Sequence, residues 1–192
     1  MKKVYLSEES SRFGARLARR FREAGYEITC EPEPGLSFFV DLTDEELPED
    51  SCAAGEGIDA EAAAEAYRKN VCGPISRLDK AFPDMTGPKR ICFLAARQAS
   101  VEWSGATSGY GRLMARAALY QILTITKNTW LEKGYTFRLF DPMRGETDPE
   151  KAADAAFVYF VRDRYDDGPD NPSRNDEANL LVRDAFGREI PW

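Results

Sequence analysis

Arg112 and Arg116 stand four residues apart in a chain of 192 residues that contains no histidine. That spacing puts both guanidiniums on one face of a helix. From there two planar forks can grip a carboxylate or phosphate from the same side. Asn70 and Arg12 are the polar residues suited to complete such an anion site. The competing reading pairs the two arginines with local acids, which are dense between residues 41 and 61. Without histidine there is no Ser-His or Cys-His nucleophile, no imidazole base and no histidine metal site. Chemistry would fall to carboxylates, Tyr, Lys, Arg or thiols.

A second constellation lies near the start. Ser7-Glu8-Glu9-Ser10-Ser11-Arg12-Phe13-Gly14 links an apolar run, Val4 to Leu6, to an amphipathic run ending at Gly25. Strand, serine-rich turn, glycine and helix are the opening of a nucleotide-binding βαβ unit. Ser7, Ser10, Ser11, Arg12 and Gly14 are then the candidate phosphate contacts, since a helix N-terminus favours an anion. Glu8 and Arg12 stand where such turns use glycine, so Glu8 repels a pyrophosphate and Arg12 fills its space. On this reading the turn is a relic: Gly14 lets the helix pack on the sheet and Ser10 or Ser11 caps it.

Composition narrows the partners. Hydrophobic residues at 43% and charged residues at 31% suit a globular domain. A net charge of −7 argues against nucleic acid or an anionic membrane, because both select a basic face. A small molecule or another protein remains. No apolar run reaches the length of a transmembrane helix and no signal core is visible, so a cytoplasmic protein is expected. Cys30, Cys52, Cys72 and Cys92 match no zinc spacing and read as reduced thiols in apolar positions. The acids Asp163, Asp166, Asp167, Asp170 and Asp176 lack the spacing of a calcium loop and read as solvated surface.

The elements that must hold these residues follow from periodicity. Strands are expected at 3–6, 26–30, 36–40, 90–95, 135–140 and 180–183. Helices are expected at 11–24, 62–82 with a kink at Gly73-Pro74, 110–131 and 149–164. Acidic loops fill 41–57 and 165–177. Helix 110–131 is apolar over most of its circumference, which suits burial on several sides and contact with another subunit. Met114 and Tyr120 read as its interface residues. The alternation predicts an α/β domain over residues 1–192, a mainly parallel Rossmann-like sheet with helices on both faces.

In order and spacing, these segments resemble the short-chain dehydrogenase/reductase family across nearly the whole chain. Ser7 to Gly14 lies on the family's Thr-Gly-x-x-x-Gly-x-Gly turn. Asn70-Val71 is similar to its asparagine segment, and Arg90 to Ala96 to the strand that ends in its catalytic serine. Arg116-Ala117-Ala118-Leu119 is similar to its Lys-Ala-Ala-Leu, and Leu139 to Pro142 to the strand ending in Pro-Gly. The resemblance implies the Rossmann fold and a nicotinamide dinucleotide cleft. It also implies an oligomer built on helices 62–82 and 110–131.

The departures from that pattern imply lost catalysis. The tyrosine position holds Arg112, the lysine position Arg116 and the serine position Ala95 or Ala96. Tyr110 is two residues away, a rotation of about 200°, and Ser100 or Ser104 is the nearest hydroxyl to replace the serine. The region after Cys30 is truncated, with 37–40 taken as the family's fourth strand. One wall of the adenine pocket would then be missing. The expectation is a degenerate, non-catalytic subunit of a homo- or hetero-oligomer with no cofactor, NAD(P) being the one it could hold. The alternative is an oxidoreductase or other small-molecule enzyme with altered cofactor use and an Arg-lined anion site. One geometric difficulty stands: a crossing from the second strand to the far side of the first normally takes about a dozen residues or more.

Overall fold

The computed structural model describes residues 2–44, 57, 59–82, 84–162 and 176–192. Strand β1 (Lys3–Leu6) leads into α1 (Arg12–Glu23), followed by β2 (Glu27–Thr29) and β3 (Phe38–Asp41). Helix α2 (Ala60–Tyr67) runs through a π-helical stretch, Arg68–Cys72, into α3 (Gly73–Ala81). Strand β4 (Arg90–Leu94), α4 (Tyr110–Trp130), β5 (Thr136–Asp141) and α5 (Pro149–Val161) come next. A short α6 (Asp176–Asn179), β6 (Val182–Asp184) and β7 (Glu189–Ile190) complete the order. The strands form one sheet in the order β2-β1-β3-β4-β5-β6-β7, parallel except for β7.

Alternation along the strands builds two buried layers. Tyr5, Phe39, Ile91, Phe93, Phe137 and Leu139 face α2 to α4, meeting Val71, Leu78, Ala115, Leu119 and Leu123. Val4, Leu6, Phe38, Val40, Cys92 and Phe140 face α1 and α5, meeting Leu17, Phe21, Ala156 and Phe160. A parallel sheet covered on both faces needs such continuously apolar strands. Cys92 is buried as expected, and burial pushes its thiol up to about 12. Cys30 and Cys72 are exposed, contrary to the apolar placement expected; Cys52 lies outside the described residues.

The crossing from β2 to β3 is made by residues 30–37 without a helix. Thr29 is level with Tyr5 and Phe38 is level with Val4. The chain therefore backs up by only one residue while moving sideways by two strand spacings, about 10 Å. Very short strands make so short a crossover possible, and its Leu36 is fully buried against the Tyr5 layer.

The expected kink at Gly73-Pro74 is instead a π-helical widening one turn earlier. Proline has no N–H and collides with the carbonyl four residues back. The helix accommodates this by bonding the Gly73 N–H to the Arg68 carbonyl, five residues back.

Two other expectations need correction. The segment around residue 176 is not a solvated loop: Asp176 and Glu177 are buried in α6. Asp176 takes Arg183 at 2.8 and 2.9 Å and the Tyr159 hydroxyl at 3.0 Å, while Glu177 takes Arg138 and Arg90. The other acids of that cluster, Asp163, Asp166, Asp167 and Asp170, lie outside the described residues, as do residues 45–56 of the first acidic loop. Tyr120 stacks on Trp192 of the same chain, with ring centroids 4.3 Å apart. The last strand pair, β6 with antiparallel β7, extends a sheet expected to end at 183.

Candidate functional site

The carboxyl ends of β1, β3, β4 and β5 open on one cleft. Strand β1 connects outward to β2, while β3 continues the other way to β4, so the sheet reverses direction between β1 and β3. Open α/β sheets bind ligands at such a point. Ser7 stitches it shut at its base: its N–H donates to the Val40 carbonyl at 3.1 Å, and its Oγ accepts the Leu42 N–H at 2.8 Å.

Beyond β3 the chain reaches Asp44, whose side chain is 2% exposed. Arg112 donates to both its oxygens, Nε to Oδ1 and Nη2 to Oδ2, each at 2.9 Å. Arg116 Nε donates to Oδ1 at 3.0 Å. Arg144, on the loop after β5, lies 3.5 Å from Oδ2 and donates to the Asp44 carbonyl at 3.1 Å. Burial pushes the Asp44 carboxyl up, but the three guanidiniums outweigh it and hold the group at about 2. Arg116 also donates to the carbonyls of Thr43 and Leu94 and to Asn70 Oδ1. Burial pulls its guanidinium down against the pull of Asp44, yet arginine remains a cation in proteins.

Asn70 is the pivot between helix and cluster. Its Nδ2 donates to the Ala66 carbonyl at 3.1 Å while its Oδ1 receives Arg116 at 3.4 Å. The asparagine thus serves the irregular helix and the arginine at once. The structure brings Asn70, Arg112 and Arg116 together, as their resemblance to family positions implied, but around an internal acid from the 41–61 stretch. Asp44 carried no motif of its own; the only signal for it was that stretch's density of carboxylates.

Arg12 does not join them. It is 65% exposed at its side chain and pairs at 3.3 Å with both Asp148 and Glu150 at the start of α5. The turn before α1 is organised by Glu8. Its carboxylate accepts from the hydroxyls of Ser10 at 2.6 Å and Ser11 at 2.7 Å, and from the Ser11 N–H. Burial raises the Glu8 carboxyl, but these donors outweigh it and hold it below its ordinary range. Ser11, not Ser10, caps α1 by accepting the Gly14 N–H at 2.9 Å. Gly14 is required for a different reason from the one expected: a Cβ there would lie 2.5 Å from the Glu8 carbonyl oxygen. The turn backbone, not the sheet, occupies that space.

At the serine position Ala95 and Ala96 are buried. Ser100 donates to the Pro191 carbonyl at 2.5 Å, and Ser104 is exposed and accepts from Ala106, so each hydroxyl has a local structural partner. Asp141, which ends β5, accepts the N–H groups of Met143 at 2.7 Å and Arg97 at 3.0 Å, and burial raises its carboxyl.

Two cavities flank this cluster. One of about 280 Å³ is walled mainly by Phe13, Leu42, Leu94, Pro142 and Ala152. The other, about 510 Å³, is lined by polar groups including Thr43, Asp44, Arg77 and Lys80, with Cys30 to Pro32 of the short crossover as its outer wall. A cleft is therefore present on the side where truncation was expected to remove a wall. Among the described residues no group of acids and cysteines is placed to hold a metal ion, and no helix is long and apolar enough to cross a membrane.

Solved structures share this architecture. A carbonyl reductase from Pseudomonas aeruginosa PAO1 superposes with a TM-score of 0.75 at 14% identity, covering all of both chains. A Burkholderia multivorans protein described as a short-chain dehydrogenase/reductase, with NADP bound, gives 0.69 at 12% identity, again over all of both chains. The chain has the short-chain dehydrogenase/reductase fold. An enoyl-[acyl-carrier-protein] reductase (NADH) from Aquifex aeolicus VF5 gives a TM-score of 0.68 at 14% identity, covering 96% of this chain and 94% of that one. No protein-family model and no curated protein matches the sequence. The short-chain dehydrogenase fold places Asp44, Arg112, Arg116 and Arg144 beside the cleft at the strand ends.

Proposed function

We propose that this short-chain dehydrogenase-fold protein is catalytically degenerate and works by binding, as a non-catalytic subunit of a homo- or hetero-oligomer. The observation that carries the reading is the closure of Arg112 and Arg116 on Asp44. These arginines stand where the family resemblance implies the proton-donating tyrosine and its lysine. Two guanidiniums locked on a buried carboxylate offer no group that can give and take a proton near neutral pH.

The turn supports the same reading for the cofactor. An α1 N-terminus is the seat for a pyrophosphate, and here the Glu8 carboxylate accepts the N–H and the hydroxyl of Ser11, the residue that caps it. A second anion would meet a fixed negative charge, so these residues do not fit a dinucleotide. Association is favoured by the outer face of α4, where Met114 and Ile125 are each 58% exposed, and by exposed Tyr67 at the end of α2. The partner surface would be the segments 62–82 and 110–131.

Titration with NAD(H) and NADP(H), followed by the fluorescence of Trp103 and Trp130, is expected to show no saturable binding. Saturation at micromolar nucleotide would overturn the degenerate reading. It would favour the alternative, an oxidoreductase or other small-molecule enzyme of altered cofactor use, for which the retained cleft and the NADP-bound neighbour speak. Light scattering on the eluted protein tests the subunit role. A dimer or larger species is expected, split by Ile125→Glu, and a clean monomer that joins no second chain would count against it.

A further inference from the structure

The two cavities are not independent: Glu8, Leu42 and Arg144 line both. Arg144 therefore stands at the junction of an apolar chamber and a polar one. Its side chain is 52% exposed, and among the described residues only its Nη1 is engaged, by the carbonyl and carboxylate of Asp44. Among the described residues its Nε and Nη2 have no partner. Asp44 is already gripped on both oxygens by Arg112 and Arg116, so one carboxylate is shared by three guanidiniums. The outermost of them keeps donors for an additional acceptor.

Across the polar chamber, Arg77 and Lys80 add two further cations.

We propose that this cleft binds an amphiphilic anion: an apolar body in the chamber walled by Phe13, Leu42, Leu94 and Pro142, and a single carboxylate or phosphate head on Arg144. The dinucleotide of the fold's NADP-bound neighbours is a different ligand class. The Glu8 carboxylate blocks the pyrophosphate seat, while the chamber beside it stays apolar. The inference rests on the reading that the cleft no longer seats a dinucleotide, and its test separates the two.

The full chain is titrated by calorimetry with octanoate, octyl phosphate, 1-octanol and inorganic phosphate. Octanoate, octyl phosphate or both should saturate with one site per chain; which of them does so identifies a carboxylate or phosphate head. Octanol and inorganic phosphate should bind at least about tenfold more weakly, the worth of one charge-assisted hydrogen bond. Arg144→Gln, at a half-exposed position, should weaken the amphiphile by about tenfold or more. Arg19→Gln, an exposed cation outside both cavities and paired with Glu23, should change it little. Unchanged thermal unfolding shows that both variants fold. Octanol binding as tightly as octanoate, or phosphate as tightly as octyl phosphate, would overturn the proposal, as would an Arg144→Gln variant that binds normally. Amphiphile binding displaced by NADP(H) would overturn the degenerate-cofactor reading and the dedicated amphiphile site that rests on it. Failure of every probe, NADP(H) included, would overturn this inference alone. NADP(H) saturation without any amphiphile binding would overturn both.

Discussion

Arg112 holds Asp44 through two parallel hydrogen bonds of 2.9 Å, in a place where the carboxylate is almost wholly shielded from water. A fork-to-fork pair of this kind is among the stronger polar contacts in a protein, and Arg116 makes it a buried triad. Removing the acid leaves two shielded cations facing each other. Asp44→Asn is expected to cost about 3–5 kcal/mol in chemical denaturation, as for other broken buried pairs. Glu150→Gln, which breaks an exposed contact with Arg12, should cost less than about 1 kcal/mol.

The same carboxylate gives the fold an acid limb. Asp44 titrates at about 2 in the folded chain against an ordinary 3.8. A depressed carboxyl contributes stability that is complete above its unfolded value and is lost as pH falls through its folded one. The contribution is about 2 kcal/mol, lost between roughly pH 4 and pH 2. Unfolding midpoints measured across that window should fall in the parent protein, with a shallower fall in Asp44→Asn. Parallel slopes would show that Asp44 is not held ionised by its arginines.

Gly14 tests the close approach in the turn. Gly14→Ala places a methyl 2.5 Å from the Glu8 carbonyl oxygen, a backbone atom that cannot swing aside. A loss of about 1–3 kcal/mol is expected in thermal unfolding. At Gly73 a Cβ would meet the far end of Arg77 at 3.4 Å and the Arg68 carbonyl oxygen at 3.6 Å, both ordinary contact distances. Gly73→Ala should therefore be neutral, or stabilising by up to about 1 kcal/mol.

Asn70→Ala removes a donor to the Ala66 carbonyl and an acceptor for Arg116 in one step. Both partners are buried, so a cost of about 1–3 kcal/mol is expected. Coupling to Arg116 is measurable by a double-mutant cycle with Arg116→Gln. Additive losses would mean that Asn70 serves the π-helical turn alone.

Much of the architecture was legible in the chain itself. Strands such as Arg90–Leu94 and Phe38–Asp41 are apolar on both faces, and Asp148-Pro149 marks a helix start through its own side chain. The helix stop at Gly25 needs only a residue that tolerates positive φ. These are local properties, set by side-chain period and backbone sterics. The family likeness survived because the order of such elements determined it, even where the motif residues had changed. Local reading failed where the deciding partner is distant in sequence. Asp44 became the centre of the site only because β3 lies beside β4 and carries it beneath α4, within reach of Arg112 and Arg116. Arg12 was lost from the site because α5 packs beside α1 and presents Asp148 and Glu150. Asp176, read as surface, is buried because Arg183 and Tyr159 converge on it from β6 and α5. Composition and spacing determined the sheet and its helices; which charges neutralise one another, and which arginine is left with donors facing a cavity, was decided by packing between elements.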